Sequence, residues 1–114
     1  MNYIFQGASG ASYSFRLYSI NEPPDIKHCV YIYAAQDGEC FSPVYIGMTT
    51  RSFAERHHEH ETADNGRKAF CIGFHEGFHI LIHEGITGCL SECELAYRES
   101  DLIDKYDPPC NEKV

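Results

Sequence analysis

Glu99 occupies a position where an acid is costly. The segment from about Leu90 to Tyr106 carries a helical period with an apolar stripe at Leu95, Ala96, Leu102, Ile103 and Tyr106. At about 100 degrees per residue, Glu99 falls near the middle of that stripe. A carboxylate in a core position needs a cation or strong donors, so Glu99 reads either as a metal ligand or as the partner of a nearby Arg or Lys. Arg56 and His60 stand four residues apart, the spacing that stacks two side chains on one helix face, with Phe53 and His57 beside them. In Cys29-Val-Tyr-Ile-Tyr-Ala34, Tyr31 and Tyr33 share one face of a strand while Val30 and Ile32 share the other. Carboxylate, guanidinium, imidazole and phenol are the groups needed to hold a hard cation, bind an anion and move a proton.

The elements that would position these groups follow from local patterns. Tyr3-Ile-Phe and Tyr13-Ser-Phe-Arg-Leu-Tyr18 flank the turn-rich Gln6-Gly-Ala-Ser-Gly10, which predicts an N-terminal hairpin over residues 1–20. Asn21-Glu-Pro-Pro-Asp25 marks a loop, because proline lacks a donor and constrains its predecessor. Cys29–Ala34 and Val44–Gly47 predict paired strands, and His79-Ile-Leu-Ile-His83 a third. Ser52-Phe-Ala-Glu55 has the form of a capping box, which starts a helix at Phe53 that runs to about Thr62. Pro108-Pro109 ends the last helix.

At 114 residues the chain is expected to form one domain. It has no apolar run of the roughly 20 residues that a membrane span needs, and no secretory signal at its start, so a cytoplasmic protein with no membrane partner is expected. By the same reasoning its six cysteines (Cys29, Cys40, Cys71, Cys89, Cys93 and Cys110) are expected to remain free thiols rather than disulfides or zinc ligands. The net charge of −8 argues against a broad nucleic-acid surface, so any basic footprint must be local. Arg16, Arg67 and Lys68 are surface charges and candidate phosphate contacts. His58 reads as solvated, and His79 and His83 share a strand face on which a substrate could lie.

In order and spacing these pieces resemble the GIY-YIG nuclease superfamily over residues 28–111. Cys29-Val-Tyr31 is similar to its first motif with two departures, and Tyr45-Ile-Gly47 to its second. Arg56 and His60 stand at its helical positions, and Glu99 is followed by Leu102-Ile103, Pro108 and Asn111, twelve residues after the acid. Position 48 is Met where some members place a lysine.

The resemblance implies an α+β (α/β) fold in which a small antiparallel sheet of three strands is flanked by helices, here with the extra N-terminal β-hairpin. It further implies a divalent-metal-dependent DNA endonuclease whose site comprises Tyr31, Tyr45, Arg56, His60, Glu99 and Asn111. Glu99 would hold Mg²⁺ or Mn²⁺, and Arg56 would meet phosphate charge. Tyr31, ahead of Tyr45 or His60, would take the proton of the attacking water, and Asn111 would anchor the chain's end. DNA is the expected partner, with a homodimer or a DNA-tethering protein making up for the acidic balance. Two other readings stand beside it: a non-cleaving nucleic-acid-binding or regulatory module, and a zinc-stabilised protein-interaction module.

Overall fold

The computed structural model describes residues 2–19, 22–62, 78–83 and 91–111. Cys29-Val-Tyr-Ile-Tyr-Ala34 is apolar or aromatic throughout, the pattern of a strand covered on both faces. It forms the middle of β3 (Lys27–Asp37), and every residue from Cys29 to Ala34 is buried. The antiparallel neighbours of β3 are β4 (Cys40–Ser52) and β5 (Phe78–His83). The N-terminal hairpin is β1 (Asn2–Gln6) and β2 (Ser12–Tyr18), and β2 joins the antiparallel sheet by pairing with β5. The three-stranded expectation therefore becomes a five-stranded sheet in the order β1-β2-β5-β3-β4, which the hairpin widens.

Strand alternation sorts the core onto two faces. One face carries Cys29, Tyr31, Tyr33, Tyr45, Ile80 and Ile82, joined by Val44 through a register shift beside Tyr45, and Phe53 of α1 (Phe53–Thr62) packs there. The other carries Phe5, Tyr13, Phe15, Val30, Ile32, Ile46 and Leu81, covered by Leu95 and Leu102 of α2 (Glu92–Tyr106). Ala96 is exposed, so the observed stripe of α2 is narrower than the expected one.

The helix ends show which local signals survive tertiary competition. Ser91 caps α2, its side chain accepting from the Glu94 amide, and Asp107 ends it in the left-handed region with its amide donating to the Ile103 carbonyl. At α1 the expected capping box does not form. The Ser52 hydroxyl hydrogen-bonds the Asp25 carboxylate instead, and the Phe53 amide donates to the Ile26 carbonyl. The Ser52 side chain is turned toward a carboxylate of a neighbouring loop, to which it donates, and not toward the amide of its own helix.

Cys110 corrects a second expectation, because it is disulfide-bonded, with its partner outside the described residues. Cys29, Cys40 and Cys93 form no disulfide. The chain after Pro108 places Cys110 in the α1-side core, and its amide donates to the Val44 carbonyl at 2.9 Å. The cysteine content thus gives no argument for a reducing compartment. No helix among the described residues is long and apolar enough to cross a membrane.

The hairpin is tied to α2 through one carboxylate. Asp101 is buried and accepts from the Ser9 amide (2.8 Å), the Ser9 hydroxyl (2.7 Å) and the Tyr13 hydroxyl (2.8 Å), while its own carbonyl accepts from the Ala8 amide (3.0 Å). Gly7 makes room for it, since a Cβ there would lie 2.0 Å from Asp101 Oδ2. Hydrogen bonds from Ser9 and Tyr13 favour the ionised form and hold Asp101 below the usual carboxylate range. Tyr13 is pushed up to about 12 by burial first and by Asp101 second.

Both shifts make the clamp pH-dependent. The Asp101 contribution is complete above its unfolded value of about 3.9 and is lost as pH falls through its depressed folded value. The Tyr13 contribution is complete below the ordinary phenol value and is lost as pH rises through about 12. Asp101→Asn is expected to lower the urea midpoint at pH 7, with the deficit shrinking as pH falls below about 4. Tyr13→Phe should cost about 1 kcal/mol. Equal midpoints for wild type and Asp101→Asn at pH 7 would show that the clamp adds nothing.

Candidate active site

The sheet gathers a cluster of aromatic rings under α1. Tyr31 packs 5.0 Å from Phe53, 5.7 Å from Tyr33 and 6.2 Å from Tyr45, centroid to centroid. Tyr31 and Gly47 are cross-strand partners, and the phenol lies over the glycine. A Cβ on Gly47 would sit 2.5 Å from the Tyr31 hydroxyl and 2.6 Å from its Cζ. The glycine of Tyr45-Ile-Gly47 is therefore a clearance for the Tyr31 hydroxyl.

Three of the other expected residues converge on that hydroxyl. The Arg56 guanidinium donates a hydrogen bond to it, and Tyr45 and Glu99 lie within electrostatic reach. Burial raises the Tyr31 pKa most, followed by Tyr45, while the Arg56 hydrogen bond and charge pull it down and Glu99 raises it again. The net direction is upward, opposite to that needed by a tyrosine acting as a base. Glu99 is half-buried on α2, at helical spacing from the buried Leu95 and Leu102.

Two expected residues take other positions. Asn111 spans the backbone of Ile46, its Oδ1 accepting from the Ile46 amide at 2.9 Å and its Nδ2 donating to the Ile46 carbonyl at 2.8 Å. With the Cys110 amide on Val44, it occupies backbone groups along the outer edge of β4 and fixes the strand between Tyr45 and Gly47. His60 lies on α1 one turn beyond Arg56, and its side chain is outside the described residues.

A pair that pattern reading did not single out lies deeper. The Tyr33 hydroxyl and His57 Nδ1 are 2.7 Å apart, both residues are buried, and His57 stacks on Phe53. The i, i+4 repeat of Phe53 and His57 was the available signal, but it did not name Tyr33 as the partner.

His79 and His83 flank Leu81 in alternation and so belong to the α2 face, opposite Tyr31. His83 Nδ1 donates to the Ser14 carbonyl (2.7 Å), leaving Nε2 to accept from Arg98 (2.6 Å). His79 packs against Phe41. Neither strand histidine faces the cluster, and Met48 packs into the α2-side core. His58 is exposed. Arg67, Lys68, Cys71, His75 and Cys89 lie outside the described residues.

No protein-family signature matches this sequence, and no curated protein does. Solved structures do. Two tyrosine-to-phenylalanine variants of the GIY-YIG N-terminal endonuclease domain of UvrC from Thermotoga maritima, each bound to its catalytic divalent cation, superpose with a TM-score of 0.56. Identity is 24% and 25%, and each comparison covers 82% of this chain and 91% of the other. The chain thus has the GIY-YIG fold, an α+β architecture built on an antiparallel sheet.

Gly47→Ala tests the clearance. The added methyl must displace the Tyr31 phenol or move the β4 backbone, a kind of overpacking that costs about 1–3 kcal/mol. The expected result is a lower thermal midpoint and a changed aromatic near-ultraviolet circular dichroism signal. A variant with the wild-type spectrum and midpoint would show that the phenol does not need that space.

Proposed function

We propose that this protein is a divalent-metal-dependent DNA endonuclease that hydrolyses phosphodiester bonds at the Tyr31 cluster. The observation that carries the reading is the convergence of Arg56, Tyr45 and Glu99 on the Tyr31 hydroxyl from two helices and the neighbouring strand. The fold supports it, as do the catalytic cations of the UvrC domains with which it is shared.

The donor chemistry fits a hard cation. Glu99 offers carboxylate oxygen beside phenol oxygens, and no group of three His, Cys, Asp or Glu side chains able to hold a metal occurs among the described residues. One carboxylate with water in the remaining positions suits Mg²⁺ or Mn²⁺. When bound, such an ion polarises the phosphate and steadies the departing oxygen.

The chain's own groups do the rest. Arg56, already bonded to Tyr31, presents its remaining donors to the phosphate oxygens on which charge gathers. Burial pushes the Tyr31 phenol up and the Arg56 hydrogen bond and charge pull it down, and a cation on Glu99 would offset that acid's upward push, so Tyr31 stands with Tyr45 and His60 as a group to accept the attacking water's proton. Asn111 acts through β4, keeping Gly47 in register with Tyr31 and Tyr45 with Tyr33.

The test is cleavage of plasmid and branched DNA at low salt with Mg²⁺ and then Mn²⁺. Wild type is expected to cut, chelator to stop it and added metal to restore it. Glu99→Ala should fall to background and Arg56→Ala by about two to three orders of magnitude. Undiminished cutting by Glu99→Ala would sink the proposal, and DNA binding without cutting by wild type would assign the chain to the non-cleaving module.

A further inference from the structure

The N-terminal hairpin meets the active-site face in a defined register. Across the sheet, Asn2 pairs with Arg16, Arg16 with Ile82, Ile82 with Tyr31 and Tyr31 with Gly47. Directly opposed residues project from the same face, so Arg16 shares a row and a face with Tyr31. Two strand spacings separate their Cα atoms, about 10 Å.

Alternation sends Phe5, Tyr13 and Phe15 into the α2-side core and leaves Asn2, Ile4, Gln6, Ser12, Ser14 and Arg16 exposed on the opposite face. The charge distribution there is unlike that of the rest of the chain. All 17 acidic residues stand at or beyond Glu22, so residues 1–21 carry one charged side chain, the cation Arg16. Arg16 makes no ion pair with the described residues. Asp101, which touches the hairpin, and Glu94, which approaches Arg98, belong to α2 across the sheet. Among the described residues, the outward face of the hairpin thus carries no acid, in a protein of net charge −8.

The hairpin is also held in place. Asp101 grips Ser9 and Tyr13 from the helix that carries Glu99, two residues away. The distance between the hairpin face and the Glu99 carboxylate is therefore set by hydrogen bonds to one helix.

We infer that the outward face of β1–β2 is a track for the phosphate backbone of the nucleic acid being cut, with Arg16 as its cationic contact. This rests on the endonuclease reading and extends it by assigning where the flanking strand lies. The contacted phosphate then lies within a few nucleotides of the scissile bond. Ser12, Ser14, Asn2 and Gln6 supply neutral hydrogen-bonding groups that position the backbone without reading sequence.

The experiment compares wild type, Arg16→Ala and Arg16→Lys for binding of a fluorescein-labelled DNA duplex in Ca²⁺ across a salt series, and for cleavage of the same duplex in Mg²⁺. Arg16→Ala is expected to lower the slope of log affinity against log salt by about 0.9, the signature of one lost phosphate contact. It should raise KM several-fold, with most of the loss in KM and little in kcat, and Arg16→Lys should recover most of the affinity. An unchanged salt slope and KM in Arg16→Ala, with wild type cutting normally, would overturn the inference and leave the endonuclease reading standing. If wild type binds but does not cut, the salt slope still decides the track by itself. Sedimentation showing a dimer that Ile4→Asp and Arg16→Ala both dissociate would assign the face to self-association and overturn the inference.

Discussion

The middle of β3 leaves its side chains no solvent. From Cys29 to Ala34 it is covered on both faces and bonded along both edges, so a phenol placed there must find its hydrogen-bond partner inside the protein. Two phenols are placed there, and each is met from α1. Arg56 serves Tyr31 and His57 serves Tyr33, one residue apart in sequence on the same helix. The groups that give the site its chemistry are the groups that satisfy this strand's buried polarity. Structural and chemical demands fall on the same residues, which explains why an aromatic cluster in the core doubles as the candidate site.

Two glycines take the part of absent side chains. Gly47 clears the Tyr31 hydroxyl and Gly7 clears the Asp101 carboxylate, and in each case an added Cβ would overlap a polar group that has partners elsewhere. Neither glycine is at positive φ, so what matters is bulk and not backbone freedom. The outer edge of β4 is closed in a comparable way by Asn111, whose amide imitates a neighbouring strand at Ile46.

The parts legible in the sequence were those whose cause is local. Periodicity marked Glu99 as an acid on an apolar stripe, spacing put Arg56 and His60 on one helix, and alternation put Tyr31 and Tyr33 on one face. All the strands and both described helices could be anticipated in this way. What escaped was caused at a distance. Ser52 has the local signature of a cap, yet a carboxylate 27 positions away takes its hydroxyl. Asp101 looks like one more surface acid on an acidic helix until the hairpin arrives, 92 residues earlier in the chain, to bury it. The Cys110 disulfide and the role of Asn111 as an edge cap likewise depend on contacts that no nearby residue announces.

The strand order also carries a kinetic meaning. β3 and β4 are joined by a tight turn at Gly38 and can zip together as a local hairpin, on the microsecond scale typical of such units. β2 has no place in the sheet until β5 exists, and Arg16 and Ile82 are 66 positions apart. Closing so long a loop is paid in chain entropy before any contact repays it, which puts this chain among the slower folders for its size. The β3–β4 platform can therefore form first, and the arm bearing Arg16 docks late, when the last helix offers Asp101. A substitution in the clamp would then be felt mainly in the rate at which the arm leaves, while the speed of the first collapse stays with β3 and β4.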